Sequence, residues 1–366
     1  MASGVSIVGV GSVGFARETP DLSYKEMMFA AARSAYEDAG MDPRTDVDSF
    51  VACSEDFLEG TSIFDEYVPD QLGAVQRPVQ TVAGDGLFGL ATAVMLIRTG
   101  IARVVAVEAH SKASNVRSLG SIEAFAMDPV LNRPLGVSTL AVAGLEMNRF
   151  LEVSGATEEA CADVARENRM AARSNPRAAY PADGAGSDAD ETPLFWPLRK
   201  LDVAERADGC VVVVLASDER AEELHGGAVP VLGCGWSSSS PTLESRDWAR
   251  ADAVERAGAT AYLEAERGPS DVDVAEVDDT YSYKQLQHLE ALGLPRDGSA
   301  VNPSGGALGQ GNLFEANGLA RVLSCVEQLR GEAGARQRES ARTALAQSAR
   351  AIPSSSAAVA ILGAAS

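Results

Sequence analysis

Val301-Asn-Pro-Ser-Gly-Gly-Ala-Leu-Gly-Gln-Gly-Asn-Leu-Phe-Glu-Ala-Asn-Gly-Leu-Ala-Arg321 is the stretch on which the reading of this chain turns. Gly305, Gly306, Gly309 and Gly311 open backbone angles closed to other residues and let a bound group approach the main chain. The run Leu313 to Leu329 has apolar positions at helical spacing, which predicts a helix starting just after the loop. A helix N-terminus there offers free N–H groups to an oxyanion or a phosphate. A tight turn before a core helix would show the same glycines, so the loop alone leaves both readings open.

Around this stretch lie 366 residues, enough for two units of ordinary domain size with sizeable cores. No run of 18 or more apolar residues occurs, so no membrane span is expected. The N-terminus leads directly into Val5-Ser-Ile-Val-Gly-Val10, which reads as a first strand and not as a targeting signal. Cys53, Cys161, Cys210, Cys234 and Cys325 are scattered and odd in number, which predicts free thiols and a cytoplasmic location. With three histidines and no C-x-x-C pair, no metal site is expected.

The formal net charge is −21, and only Lys25, Lys112, Lys200 and Lys284 are lysines. Such a surface repels nucleic acid and anionic lipid, which excludes both as partners. Dispersed acids with scarce lysine fit a salt-accumulating source, where screening makes self-repulsion tolerable. An acidic protein of an ordinary bacterium fits equally well. Any polyanionic substrate would need local arginine or backbone donors against this field.

Along the chain, Ser23 can cap a helix over Tyr24–Ala39 that ends at Gly40. Val82–Thr99 reads as a buried helix, Ala102–Glu108 as a strand, and Thr139–Val153 and Thr157–Ser174 as amphipathic helices. Asn175–Pro193 is a polar loop; Cys210–Leu215 and Val229–Cys234 read as strands. Then come helix Arg250–Arg267, strand Val274–Val277, helix Lys284–Leu292, the glycine loop with its helix, and strand Ala357–Leu362. Strands alternating with helices predict an α/β fold. A natural boundary lies near Glu222–Gly227, dividing residues 1–224, with a loop insertion at about 115–200, from residues 225–366; no tight sequence repeat is visible.

The glycine stretch resembles the catalytic loop of the thiolases, whose pattern reads roughly Asn-x-x-Gly-Gly-x-x-x-x-Gly-His-Pro-x-Gly-x-x-Gly. Asn302, Gly305, Gly306, Gly311 and Gly318 match it, whereas the histidine falls on Asn312, the proline on Leu313 and one glycine on Glu315. The resemblance covers nearly the whole chain. Met1–Gly11 is similar to the opening strand of the sterol-carrier and archaeal branch. Thr157–Pro176, with Glu159 and Asn175-Pro176, is similar to its Gly-x-x-x-Glu…Asn-Pro helix. Pro197–Asp202 with Ala207–Val212 resembles the strand closing the first half. Ala275-Glu-Val-Asp-Asp-Thr-Tyr-Ser282 with Leu289–Gly293 resembles Glu-Val-His-Asp-Cys-Phe-Thr…Leu-Glu-x-Leu-Gly. The resemblance implies two similar βα halves about a pseudo-twofold axis in a five-layered αβαβα arrangement, a homodimer, and chemistry on acyl-CoA thioesters without a further cofactor.

The catalytic positions depart from the family. Its nucleophilic cysteine falls on Ala83, or on Gly84 with the turn shifted by one, and neither can form an acyl-enzyme. Asp85 takes the following serine position, Asp278 that of a histidine and Tyr281 that of a phenylalanine. The C-terminal cysteine or glycine pair falls near Arg350-Ala351, where no cysteine stands. What remains as a catalytic set is Tyr281, Asp279, Asn312 and Asp278, with Ser304, Gly305 and Gly306 as the substrate-cradling backbone. A phenol at 281 can serve as an acid or, with a depressed pKa, as a base; a packed tyrosine with its hydroxyl satisfied is the plainer alternative. The histidines His110, His225 and His288 read as structural or surface groups.

The resemblance therefore implies an acyl-CoA enzyme acting on a carbon–carbon bond, an acetyl-CoA acyltransferase relative shifted toward retro-aldol cleavage. It also admits a non-catalytic acyl-CoA-binding or scaffolding subunit. Thiolase-like lyases that lack the cysteine pair with a small OB-fold, zinc-ribbon protein, which makes such a partner an expectation here.

Overall fold

The computed structural model describes residues 4–55, 66–182, 190–224, 227–240, 242–296, 300–350 and 355–364. The first half contributes β1 (Val5–Ala16), β2 (Ser49–Cys53), β3 (Val79–Val82) and β4 (Val104–Lys112). A two-stranded hairpin, β5 (Pro193–Phe195) and β6 (Leu198–Arg199), precedes β7 (Asp208–Ser217). The second half adds β8 (Val229–Ser238), β9 (Val274–Glu276), β10 (Thr343–Arg350) and β11 (Ser356–Gly363).

All but the hairpin join one mixed sheet in the order β3-β2-β4-β7-β1-β8-β11-β10-β9. Read outward from the β1–β8 junction, the two halves repeat the same order. β2 lies parallel to β4 as β9 lies parallel to β10. β4 and β7 are antiparallel as β10 and β11 are, and β7 meets β1 as β11 meets β8. The place of β3 beside β2 is taken in the second half by Val301, a single parallel bridge to Ala275. The glycine loop and the Ala83–Asp85 turn therefore follow equivalent strands.

Apolar faces sort the helices into layers. The helix Tyr24–Ala39 starts at a Ser23 capping box with Glu26 and ends at left-handed Gly40. Its Met27, Met28, Ala31 and Ala35 pack on Phe50, Ala52, Val212 and Val214. Helices Gly86–Arg98 and Asn317–Arg330 share a central cluster with the inward faces of both halves, Val105, Val107, Val211 and Val213 on one side and Ala344, Ala346, Ala358 and Ala360 on the other. The helix Asp252–Ala265, with Leu289 and Leu292 of the helix Ser282–Leu292, covers Leu345, Ala357, Val359 and Ile361. The result is five layers, with the two halves of the one sheet alternating with helices: helix, first half of the sheet, helices, second half of the sheet, helix. Removing apolar surface from water at these contacts, at about 25 cal/mol per Å², is what holds the layers together.

A short repeat does mark the two halves. A Cβ on Gly9 or Gly11 of β1 would lie 2.3 and 2.2 Å from the carbonyl oxygens of Ala35 and Ala31. A Cβ on Gly233 or Gly235 of β8 would lie 2.2 Å from those of Ala261 and Ala257. Gly-x-Gly in each first strand thus lets the outer helix rest on bare backbone.

Most predicted elements exist with shifted ends. Within the large sheet, β2, β3 and β10 were not anticipated. The predicted helix at Val82–Thr99 begins only at Gly86, because its first residues belong to β3 and the turn after it. The predicted helix Leu313–Leu329 begins only at Asn317, after a turn at Phe314–Ala316, and an unexpected short helix Gly306–Gln310 lies inside the glycine loop. The insertion between β4 and β7 carries helices Thr139–Ser154 and Glu158–Ala172 and packs Met147, Phe150 and Ala165 against Tyr281, Tyr283, Leu286 and Leu308.

Candidate functional site

The glycine loop is held from three sides. Asn302, at φ 44°, accepts from the Val277 N–H at 2.8 Å and donates through Nδ2 to Gln285 at 2.7 Å. Gly305 and Gly306 take φ of 96° and 56°, and a Cβ on Gly306 would sit 2.1 Å from Asp279 Oδ2. Ser304 donates through its hydroxyl to Glu276 at 2.6 Å and accepts from Gln310 Nε2 at 2.6 Å. Asn175 Nδ2 donates to the Ser304 carbonyl at 2.8 Å, which ties the Asn-Pro segment to the loop.

Asp279 is buried beneath the loop and accepts from the N–H groups of Ala307 and Leu308 at 2.6 and 3.1 Å and from Asn168 Nδ2 at 2.8 Å. The short helix Gly306–Gln310, inside the loop, thus points two of its N–H groups at an internal carboxylate. Burial pushes Asp279 up to about 6, against Arg321 and the Leu308 and Ala307 N–H groups.

Arg321, buried on the helix from Asn317, is the hub that the sequence reading missed. Its Nη2 donates to Asp278 Oδ1 at 2.8 Å and its Nη1 to Ser348 Oγ at 3.0 Å. Asp278 also accepts from the Thr280 hydroxyl at 2.6 Å. Burial works against the Asp278 charge, but Arg321 outweighs it and keeps the carboxyl below its ordinary range. Among the described residues, Asp278 Oδ2, Gln347 Nε2 and His288 Nδ1 are buried without a hydrogen-bond partner. His288 is buried, not a surface group, and burial holds it down at about 4. His225 lies outside the described residues. Arg321 was detectable as a charge on the apolar side of a predicted helix; its partners come from distant strands and were not.

Asp85 is the N-cap of the helix Gly86–Arg98, accepting from Leu87 N–H at 2.8 Å, and it also accepts from Gly318 N–H at 2.9 Å. It thereby joins the two central helices. Burial raises it to about 6, opposed by Leu87 and Arg321. Beside it, Ala83 is exposed and Gly84 is buried with open space: a Cβ there would meet only Phe88, at 3.9 Å. The five cysteines are all free and buried, none at this turn, and burial pushes each thiol above its ordinary range.

Tyr281 and Asn312 share a wall. Residue Val203 bridges Tyr281 and Arg206 bridges Asn312, so the 203–206 segment runs between them. Asn312 Oδ1 accepts from Phe314 N–H at 3.0 Å and Asn317 Nδ2 at 2.7 Å. Tyr281 is buried, with its ring stacked on Tyr283 at 5.9 Å. Burial raises its pKa, and Glu123, Glu146 and Asp278 raise it further. The direction is toward a protonated phenol, the opposite of the depressed pKa that a base would need. Tyr283 donates to Glu146 at 3.1 Å, and Lys284 donates to the same carboxylate at 2.7 Å. On the outer side of the helix that carries Glu146, an open groove of about 490 Å³ is lined by Leu145, Arg149, Arg246, Asp247 and Trp248.

Comparisons with known proteins agree with this architecture. Residues 235–301 and 298–364 match the family described as thiolase C-terminal domain-like. The chain is 29% identical over 362 residues to the acetyl-CoA acetyltransferase of Methanothermobacter thermautotrophicus, covering 92% of this chain and 94% of that protein. It is 28% identical over 366 residues to the 17-hydroxy-3-oxo-4-pregnene-20-carboxyl-CoA lyase of Mycobacterium tuberculosis, covering 90% and 93%. Among solved structures, the Ltp2-ChsH2(DUF35) aldolase aligns with a TM-score of 0.82 at 24% identity over 99% of this chain and 98% of that one. A monomeric SCP2-thiolase like protein from Mycobacterium smegmatis aligns at 0.78 and 19% identity over 99% and 78%.

Proposed function

We propose that this chain, similar in sequence and fold to thiolase-superfamily proteins, cleaves a carbon–carbon bond of a β-hydroxyacyl-CoA by retro-aldol chemistry. The observation that carries this reading is the Tyr281 hydroxyl. It belongs to a buried residue, its pKa is raised by burial, and it stands in a site whose nucleophile position, by the resemblance, is Ala83-Gly84. Claisen chemistry needs a covalent nucleophile. Retro-aldol cleavage needs only a base for the β-hydroxyl proton and an acid for the enolate that leaves. A neutral phenol suits the second task. The similarity to a CoA lyase and the likeness in fold to an aldolase support the same choice.

The groove between Leu145 and Trp248 supports acyl-CoA as the ligand. Arg149, paired with Glu152, and Arg246 bring guanidinium groups there beside Asp247, and the indole of Trp248 adds an aromatic wall. We extend the proposal to a cytoplasmic homodimer working with a small OB-fold, zinc-ribbon partner, supported by the DUF35 component of the similar aldolase. A second reading, a non-catalytic acyl-CoA-binding subunit, is favoured by the acids. Asp278 places a carboxylate where the family has a histidine, and Asp279 occupies N–H groups that could serve an oxyanion.

The experiment is turnover of β-hydroxyacyl-CoA substrates, with and without such a partner, followed by mass detection of the shortened acyl-CoA. Tyr281→Phe should lower turnover by about 10²-fold or more while acyl-CoA binding survives. Unchanged turnover would return Tyr281 to a packing role. Binding without cleavage by the unaltered protein would favour the second reading.

A further inference from the structure

Tyr281 occupies the N-cap position of the helix Ser282–Leu292, and its side chain makes no capping hydrogen bond there. Its place is set instead by what grips the chain around it. Asp278 Oδ1 collects the Arg321 Nη2 group at 2.8 Å, the Thr280 hydroxyl at 2.6 Å and the Thr280 N–H at 3.2 Å. Asp278 Oδ2 is buried without a hydrogen-bond partner among the described residues. A carboxylate that served only to neutralise Arg321 would offer both oxygens to the guanidinium fork. Here it is turned so that the oxygen that takes the arginine also closes the turn leading into Tyr281.

Both ends of this relay are anchored. On one side the Arg321 Nη1 group donates to Ser348 Oγ of β10 at 3.0 Å, and the Asp278 N–H donates to Oε1 of the neighbouring Gln347 at 2.8 Å. On the other the Thr280 carbonyl accepts from the Ala204 N–H at 2.9 Å, and Tyr281 forms an antiparallel bridge with Val203. The Tyr281 ring then rests on Tyr283 at 5.9 Å, whose hydroxyl donates to Glu146 at 3.1 Å. The same guanidinium lies 3.9 Å from Asp279, which holds the Ala307 and Leu308 N–H groups of the glycine loop. Arg321 thus ties the turn before Tyr281 and the glycine loop to one helix. Arg321, Asp278 and Asp279 are all buried, so water neither competes for these bonds nor screens the charges.

We propose, resting on the retro-aldol reading, that Arg321 and Thr280 are positioning residues for Tyr281: the chain of contacts from Arg321 through Asp278 to Thr280 fixes the backbone from which the phenol meets the leaving enolate. In this role none of these residues touches substrate or exchanges a proton. Orientation matters greatly for such an acid, since a misplacement of about 1 Å costs about 10²-fold in rate. Arg321 suits the task because its planar fork reaches acceptors on separate strands at once, Asp278 just beyond β9 and Ser348 on β10. A lysine ammonium would keep the charge and lose that geometry. The Thr280 hydroxyl is the last side-chain link before the phenol, and it can be removed without touching the ion pair.

Kinetics and fluorine resonance on the full chain test this, with Thr280→Val, Thr280→Ser and Arg321→Lys compared with the unaltered protein. Valine keeps the volume of Thr280 and removes its hydroxyl; serine restores the hydroxyl. For cleavage of a β-hydroxyacyl-CoA, Thr280→Val should lower kcat by about tenfold with KM and affinity for product acyl-CoA kept, and Arg321→Lys by up to about 10²-fold. Thr280→Ser should recover most of the loss. In the second measurement a fluorinated tyrosine is placed at 281 and its resonance is followed in each variant. The signal should move in Thr280→Val and return in Thr280→Ser, which a general loosening of the fold would not produce. Where Arg321→Lys fails to fold, the Thr280 pair decides. Retained kcat in Thr280→Val, an unmoved resonance, or no recovery in Thr280→Ser overturns the positioning role while leaving the retro-aldol reading intact. An unaltered protein that binds acyl-CoA and cleaves no β-hydroxyacyl-CoA overturns the reading and the positioning role together.

Discussion

Gly318→Ala gives a sharp test of how the site is built. The new Cβ would lie 1.9 Å from Asp85 Oδ1 and 2.8 Å from both the Cβ and the N of Leu87. Neither helix can yield freely, because both are packed into the central cluster. The collision would break the 2.9 Å hydrogen bond from Gly318 N–H to Asp85. Losing a charge-assisted bond of this kind costs about 1.5–3 kcal/mol, and overpacking adds about 1–3 kcal/mol. Alanine returns up to about 1 kcal/mol through helix propensity. The net expectation is a destabilisation of roughly 2–4 kcal/mol, read as a lower urea midpoint with unchanged slope. The comparison that isolates the cause is the same substitution in an Asp85→Ala background. There the colliding oxygens are gone, so the cost of Gly318→Ala should fall to about half or less. An unshifted midpoint, or an equal cost in both backgrounds, would refute the claim that Asp85 and Gly318 lock the two helices together.

Three further outcomes are expected. Incubation with acetyl-CoA or acetoacetyl-CoA should leave the intact mass unchanged, since Ala83 and Gly84 carry no thiol and every cysteine is buried; a stoichiometric acetyl adduct would contradict this. Stability against pH should separate two groups of opposite sign. Asp85 is raised to about 6, so the folded state binds its proton first and gains about 1.4 kcal/mol per unit as pH falls below that value, a gain that Asp85→Asn should lack. His288 is lowered to about 4, so its contribution is whole above the ordinary histidine range and lost as pH falls toward 4, and His288→Asn should be spared that loss. Parallel pH dependence of both variants and the unaltered protein between pH 7 and about 5 would defeat this account. Finally, with net charge −21, the melting temperature should rise between 0.1 M and 2 M potassium chloride as the Debye length falls to about 3 Å or less; a flat or falling value would assign the acidity to an ordinary protein.

Several parts of this architecture were legible from local chemistry. Ser23 with Glu26 and the terminal Gly40 announce their helix because capping uses groups a few residues apart. The loop glycines announce positive φ because other residues resist it. The short strands β2 and β3 were missed: a run of four or five residues carries too little periodicity to be told from a helix or a loop. The Gly-x-Gly repeat of β1 and β8 was missed too, since its purpose is visible only once a helix lies on each strand.

By itself the sequence determined the resemblance to the thiolases, and within it the absence of a thiol at Ala83-Gly84 and the presence of Asn312 where that resemblance puts a histidine. Those are facts of residue identity. Tertiary structure alone decided what the remaining polar groups do. Asp278 is an ion-pair member because Arg321 reaches it from a helix 43 residues away in sequence. Asp279 fills the N–H groups of the short helix Gly306–Gln310, and the Tyr281 pKa is raised because burial and carboxylates from separate elements act on it. Charge state follows from desolvation and from neighbours brought together by folding, and neither quantity is written in the local order of residues.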